Sequence, residues 1–355
     1  MTTFRNTPNR PEPRLLLIYT GGTIGMVEDP DTGVLKAFNF DSLKENMPEL
    51  GRLGCRIDVS EYTPPIDSSL VDPHLWLNLV HTIRSSYDRY DGFVILHGTD
   101  TMAYTASALS FLLGRLTKPV ILTGAQLPIG KLRTDGRENL IASVETAIAR
   151  DETTGLPLVP EVCIYFNDKL LRGNRATKSS ADHFDAFSSP NYPPLAHAGI
   201  EIDYQLPYIG YPTVADEPAH PVAQMDAHVG VLKLFPGITP EPVQSILSTP
   251  GLRGLVLETY GSGNAPSWEW FIRLLSEAAA HQILIVNVTQ CAVGAVDMSR
   301  YETGNTLEQI GVINGHDMTC ECALTKLMYL LAQPHLTTAQ RARLMSLSLR
   351  GELTL

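Results

Sequence analysis

Two short loops gather hydroxyls, a carboxylate and glycines: Thr20-Gly-Gly-Thr-Ile-Gly25 and His97-Gly-Thr-Asp-Thr101. Adjacent glycines let the backbone come close to a ligand and leave N–H groups free to face it. A threonine hydroxyl on such a loop is a nucleophile if a base stands near it. A third segment supplies cations, because Lys169, Arg172, Arg175 and Lys178 recur at every third position. If Lys178 or a neighbour turns into a crevice beside Asp100, it can act as that base, since burial and nearby charge shift a lysine's pKa. Each feature also has a plainer reading. Thr20 and Thr23 would cap a following helix, Asp100 would close a turn, His97 would be a hydrogen-bonded core histidine, and the four cations would line one solvated face.

Other chemistries lack their residues. There is no G-x-x-x-x-G-K-[ST] phosphate loop, and Gly21-Gly-Thr-Ile-Gly25 does not have the G-x-G-x-x-G spacing of a dinucleotide site. Neither a G-x-S-x-G elbow nor an H-E-x-x-H pair occurs. The ten histidines show no metal-ligand spacing.

The elements that must position these loops read as alternating strands and helices. Leu15–Tyr19, Phe93–Leu96, Val120–Leu122 and Val162–Phe166 are apolar on both faces and too short for helices, as in a parallel sheet covered on both sides. Each runs directly into one of the small, polar segments. Between them, Asp72-Pro73 starts a helix carrying Leu75, Leu79, Val80 and Ile83, and Met102–Leu116 is helix-like. Asp135 is placed to cap a helix with Leu140, Ile141, Val144 and Ile148. Ligands of open parallel sheets bind beyond the carboxyl ends of the strands, so several of these loops should converge on one crevice.

The pattern predicts two α/β domains, a larger one with a parallel sheet over 14–205 and a smaller one over 229–355. The Pro-rich stretch 206–228 between them reads as a linker. In the second domain Val229–Phe235, Gly254–Leu257 and Ile283–Val288 read as strands, and Ser267–His281 and Met318–Ala332 as helices. The 355 residues carry 27 Lys and Arg against 38 Asp and Glu, a net charge of −11. That excess of carboxylates argues against nucleic-acid or membrane-surface partners. Five cysteines without C-x-x-C spacing suggest a reducing compartment rather than a disulfide framework. No apolar run reaches the ~18 residues of a membrane span. A soluble cytoplasmic protein is expected.

The two loops, in this order, resemble the signature segments of bacterial-type L-asparaginases. The resemblance extends to the cytoplasmic type I branch through Tyr62-Thr-Pro-Pro-Ile-Asp-Ser-Ser69, Thr123-Gly-Ala-Gln126, Arg133-Thr-Asp-Gly136 and Arg172-Gly-Asn-Arg-Ala-Thr-Lys178. Phe187-Ser-Ser-Pro-Asn191, Tyr260-Gly-Ser-Gly-Asn-Ala-Pro266, Asn287-Val-Thr-Gln-Cys291 and Asp317-Met-Thr319 also fit, and the match continues to Arg350-Gly-Glu-Leu-Thr354. It implies hydrolysis of L-asparagine to L-aspartate and ammonia through an acyl-enzyme, a larger N-terminal and a smaller C-terminal α/β domain, and a homodimer or homotetramer. It implies no cofactor and no metal.

The resemblance also assigns roles. Thr23 matches the nucleophile. Thr99, Asp100 and Lys178 match a second triad, in which Lys178 takes a proton through Thr99 and Asp100 orients Lys178 and holds the substrate ammonium. Asp67, Ser68 and Ser69 match the turn that grips the amino-acid end of the substrate, and Ala125 matches a backbone position beside the leaving amide. The sequence departs from the family in two places. The stretch Asp29–Phe38 has no tyrosine to assist the nucleophile, with Val34 near the expected place, and Tyr301 of a neighbouring subunit is the candidate substitute. Glu258 stands where some relatives carry an effector-site arginine, and Thr177 and Cys291 alone make a poor carboxylate site, so weak or absent activation by asparagine is expected. A non-catalytic amino-acid sensor on the same scaffold would have no use for a nucleophile together with its base.

Overall fold

Strand β1 (Arg14–Tyr19) shows why the apolar runs have no polar face. Its Leu16 and Ile18 enter one buried core, and Leu15, Leu17 and Tyr19 enter another on the opposite side of the sheet. The structure is a computed structural model that describes residues 12–28, 35–37, 47–211, 222–299 and 302–355.

The first domain continues with a small antiparallel ribbon, β2 (Met26–Glu28) and β3 (Leu35–Ala37), then β4 (Arg56–Glu61), β5 (Gly92–Leu96), β6 (Val120–Thr123), β7 (Val162–Phe166) and β8 (Lys169–Arg172). A two-stranded hairpin of β9 (Thr177–Lys178) and β10 (Phe187–Ser188) follows, then β11 (Ala196–Ala198) and β12 (Ile202–Tyr204). Eight of these strands form one sheet in the order β12-β11-β8-β7-β6-β5-β1-β4. Strands β4, β1, β5, β6 and β7 are parallel, whereas β8, β11 and β12 add on antiparallel. The antiparallel extension was not expected from the sequence, because strands of three or four residues are too short to show a period.

Helix α1 (Pro73–Ser86) starts as its residues dictate: the Asp72 carboxylate accepts the amides of His74 and Leu75, and Pro73 fills the first turn. Helix α2 (Met102–Leu112) stops four residues before the expected Leu116, where Gly114 adopts φ +74°, a conformation that ends helices. Helix α3 (Gly136–Ile148) begins after Asp135, but Asp135 does not cap it. Its carboxylate instead accepts the amides of Gln126 and Leu127, at 3.0–3.1 Å, in the loop after β6.

The second domain is a four-stranded parallel sheet in sequential order: β13 (Val229–Lys233), β14 (Gly254–Thr259), β15 (Leu284–Thr289) and β16 (Ile313–Asn314). Its helices are α4 (Pro240–Leu247), α5 (Glu269–Ala280), α6 (Glu302–Gln309), α7 (Cys320–Leu331) and α8 (Thr338–Met345). Val243 of α4 and Phe271 and Leu275 of α5 bury against one face of that sheet. On the other face α7 packs on α2 of the first domain, where Phe111 and Tyr329 stack with ring centroids 5.8 Å apart. One core runs through both domains, joining Phe111 and Leu112 to Val286, Leu327 and Leu330. Such a dry interface disfavours relative domain motion. Residues 206–211 of the expected linker pack on the first domain: Arg172 donates to the carbonyls of Tyr208 and Gly210, and the Tyr211 hydroxyl accepts the Val162 amide.

Candidate active site

Backbone contact, made possible by glycine, brings the loops together at the carboxyl ends of β1, β5 and β6. Gly22, at φ +89°, lies so close to the second loop that a Cβ there would stand 2.6 Å from Gly98 Cα and N. A Cβ on Gly98 would in turn stand 2.5 Å from Ser68 Oγ, and one on Gly21 would overlap the Ile66 carbonyl. The Thr20 hydroxyl is committed to the Leu96 carbonyl at 3.0 Å. Thr23 opens a single 3-10 turn whose preceding residue is Gly22, and no side chain caps that turn. Thr23 is half-buried, so it is neither locked in the core nor used as a helix cap.

Lys178 Nζ lies 2.8 Å from Thr99 Oγ1 and 2.7 Å from Asp100 Oδ1. The contact spans 79 residues of sequence, and the short β9–β10 hairpin delivers the lysine. Asp100 keeps two-thirds of its side chain exposed while Lys178 is largely covered, so the carboxylate faces both the lysine and solvent. The rest of the cationic row is not a solvated face. Lys169 pairs with Asp185 at 2.7 Å, and Arg172 and Arg175 are buried against Glu161 and Asp317 at 2.8 Å each. Arg175 also donates to the Gly351 carbonyl, and Asn174 to that of Arg350. The chain's last residues thereby brace the segment that leads into Lys178.

Asp67 begins the 3-10 turn Ser68–Leu70, and its carboxylate accepts the Ser69 amide at 2.8 Å. That amide, with the Ser69 hydroxyl, holds the Asp67 carboxyl below its ordinary value. Ser68 is buried and its carbonyl accepts the Thr101 hydroxyl, which ties the turn to the second loop. Ala125 is buried, as suits a residue that would act through its backbone. Next to it stands Gln126, whose role the residue types did not reveal. Its side-chain amide donates to the carbonyls of Ala181 and His183, in the loop after Lys178.

His97 is a core residue. It is buried, its Nδ1 lies 2.7 Å from the Gly98 carbonyl, and its Nε2 lies 3.0 Å from Thr105 Oγ1, which also receives the Trp76 indole N–H. Burial lowers its pKa to about 4. Around Thr177 the setting is acidic: its hydroxyl donates to Glu321 at 2.6 Å. Burial, followed by the charges of Glu258 and Glu321, raises the Cys320 thiol to about 12. Cys291 is exposed. Val34 and Tyr301 lie outside the described residues. Among the described residues no group of His, Cys, Asp and Glu converges to hold a metal, and no helix is long and apolar enough to cross a membrane.

Fold and site together define an enzyme of the asparaginase family, to which this chain belongs. Residues 14–209 match the asparaginase N-terminal domain and residues 228–345 the glutaminase/asparaginase C-terminal domain. The chain is 45% identical to L-asparaginase 1 of Escherichia coli K12 over 341 residues, which covers 96% of this chain and 98% of that protein. Among solved structures it is similar to L-asparaginase I of Vibrio cholerae, with a TM-score of 0.84 at 39% identity over 97% of this chain and 100% of that one. The L-asparaginase of Thermococcus kodakarensis gives a TM-score of 0.84 at 32% identity over 96% and 99% of the two chains.

Proposed function

We propose that this chain hydrolyses L-asparagine to L-aspartate and ammonia, with Thr23 as nucleophile and Thr99, Asp100 and Lys178 as the proton-handling group. The observation that carries this reading is the triad geometry, with Lys178 Nζ 2.8 Å from Thr99 and 2.7 Å from Asp100 on a loop that touches the glycine before Thr23. An amide is a weak electrophile with a poor leaving group, so attack needs a proton acceptor, and departure of nitrogen needs a proton donor. The Thr23 hydroxyl adds to the side-chain carbonyl carbon as its proton passes toward Lys178. The tetrahedral intermediate collapses, nitrogen leaves as ammonia carrying a returned proton, and an ester of Thr23 remains. Water then adds to that ester, and aspartate leaves as the Thr23 hydroxyl re-forms. A positioned base contributes ~10²–10⁴-fold. Loop N–H groups facing the oxyanion contribute on the order of 3 kcal/mol each.

A zwitterionic substrate needs an anion for its ammonium and donors for its carboxylate. Asp100, exposed beside Lys178, and the turn Asp67–Ser69 meet both needs, with the Ala125 backbone beside the leaving amide. We also assign the protein to the cytoplasm and to a homodimer or homotetramer. In support, no disulfide joins any of the five cysteines, and Leu70, Leu132, Ile200 and Val293 expose large apolar side chains. The test is ammonia release from L-asparagine and L-glutamine by the wild type, Thr23→Ala and Lys178→Ala. Turnover of asparagine that both variants lose is expected. Binding of asparagine without ammonia release by the wild type would overturn the reading, and comparable turnover of glutamine would broaden the substrate class.

A further inference from the structure

Gln126 is a second polar neighbour of the Thr99 hydroxyl, beside Lys178. Its side-chain nitrogen has two acceptors, the Ala181 carbonyl at 3.1 Å and the His183 carbonyl at 2.9 Å. Carbonyl oxygens only accept, so these two contacts determine which end of the amide is nitrogen. The amide oxygen must therefore be the atom that faces Thr99, and Thr99 Oγ1 lies 3.5 Å from Gln126 Oε1. An amide oxygen also only accepts, so Thr99 is the donor in that contact. The Thr99 lone pairs then point at Lys178 Nζ, 2.8 Å away, and Lys178 must donate to them.

This polarity is the reverse of the one proton abstraction requires. For Lys178 to accept a proton through Thr99, the Thr99 O–H must swing from Gln126 to the lysine. We propose that Gln126 is a positioning residue that holds the Thr99–Lys178 relay in its resting, lysine-donating polarity by competing with Lys178 for the Thr99 proton. The proposal rests on the assignment of Thr99 and Lys178 as the relay. The 3.5 Å separation suits the role, because a long, weak contact is one the hydroxyl can leave when substrate arrives. Gln126 is itself well anchored. Its amide is held by Asp135, which also takes the Leu127 amide and a side-chain N–H of Asn139. This explains why Asp135 turns away from the helix it precedes.

Two substitutions separate polarity from mere support. Gln126→Met removes the acceptor, and Gln126→Glu keeps and strengthens it, while both lose the donors to Ala181 and His183. A supporting role predicts no shift of the acid limb in the Met variant, whereas the added Glu charge raises the limb under either role, so the Met variant decides. The polarity role predicts opposite shifts of the acid limb of the kcat/KM–pH profile, downward for Met and upward for Glu, each by about half a pH unit to one. Circular dichroism checks the fold, and Gln126→Leu replaces the Met variant if that fails to fold. An unmoved limb in the Met or Leu variant, or a shift in the direction of the Glu variant, overturns the proposal. Lys178→Ala keeps the two readings apart: if its residual activity retains the wild-type limb, the limb does not belong to Lys178 and the relay assignment itself fails.

Discussion

Lys178 reaches Thr99 at 2.8 Å although 79 residues separate them, and the same ammonium meets Asp100 at 2.7 Å. The arrangement places one amine between a hydroxyl and a carboxylate, which is what a base needs: something to deprotonate and something to hold it in position. Thr99→Val and Lys178→Met should each lower kcat for asparagine hydrolysis by ~10²–10⁴-fold. Lys178→Arg should be as inactive as Lys178→Met, because a guanidinium keeps the charge but does not give up its proton. Steady-state ammonia release from the three variants decides between a lysine that works as a base and one that works as a fixed charge.

The contact between Gly22 and Gly98 sets how close the two threonine loops come. Gly22→Ala would press a methyl within 2.6 Å of Gly98 backbone atoms, which cannot yield as a flexible side chain would. Misplacing a catalytic group by ~1 Å costs ~10²-fold in rate, and a loss of at least that size is expected. Gly237 has nearly the same φ, +90°, with nothing within 4 Å of its Cβ position. Gly237→Ala therefore bears the backbone strain alone and should keep full kcat with a modestly lower melting temperature. Equal activity losses in the two variants would refute the close-approach argument.

Much of this geometry was legible in the residues. Doubly buried runs such as Leu15–Tyr19 and Phe93–Leu96 can only be strands covered on both sides, and each delivers its loop to the same edge of the sheet. The Asp72-Pro73 start of α1 behaves as its side chains require. What stayed hidden depends on distant partners. Lys169, Arg172, Arg175 and Lys178 look alike in sequence, and only the fold gives them Asp185, Glu161, Asp317 and Asp100 as separate partners. Asp135 precedes a helix and looks like its cap, yet the amides of Gln126 and Leu127 claim it. Gln126 lies in a segment that carries the resemblance but showed no role, because a glutamine announces no chemistry until its neighbours do.

His97 makes stability depend on pH. The Gly98 carbonyl only accepts, so Nδ1 donates to it and Nε2 accepts from Thr105, which leaves the neutral ring fully bonded. Burial depresses its pKa to about 4 in the folded chain, against ~6.5 when unfolded. Between those values the unfolded chain binds the extra proton, so stability is complete above pH ~6.5 and is lost as pH falls toward 4. From pH 7 to pH 5 this one residue should remove roughly 2 kcal/mol. Urea denaturation at both pH values reads the loss, and His97→Gln should show a smaller difference between them. An identical pH dependence in the variant would exclude His97 as its source.

Around Thr177 the charges oppose an amino-acid effector. The Thr177 hydroxyl is spent on Glu321, and burial with the nearby charges of Glu321 and Glu258 pushes the Tyr104 hydroxyl up to about 12. An incoming α-carboxylate would meet Glu321 and Glu258 there. Coupling between sites requires a ligand that binds one state better than another, and these carboxylates repel the group that would have to bind. The rate should rise hyperbolically with L-asparagine, with a Hill coefficient of about 1. A sigmoidal curve would contradict the argument, and Glu258→Arg tests whether charge alone is what is missing.

Lys326 and Glu352 form a fully buried ion pair at 2.5 Å. Lys326 also donates to the carbonyls of Met345 and Leu347, and Glu352 accepts the amides of Leu349 and Arg350. Burial pushes the Glu352 carboxyl up, but Lys326 and those two amides outweigh it and leave the group below its ordinary value. A pair satisfied this completely contributes little net stability, while removing one partner strands a buried charge. Lys326→Met should therefore cost ~3–5 kcal/mol. Lys326→Met with Glu352→Gln should recover much of that, because a neutral amide oxygen can still accept an amide hydrogen bond. The pair holds residues 349–352 in place, and these supply the carbonyls that brace Asn174 and Arg175, just before Lys178. The single variant should then lose activity at temperatures where most of the protein is still folded, and the double variant should regain it. Parallel activity and urea-denaturation measurements test this, and a single variant that keeps wild-type kcat until it unfolds would show that the chain's last residues do not position the lysine.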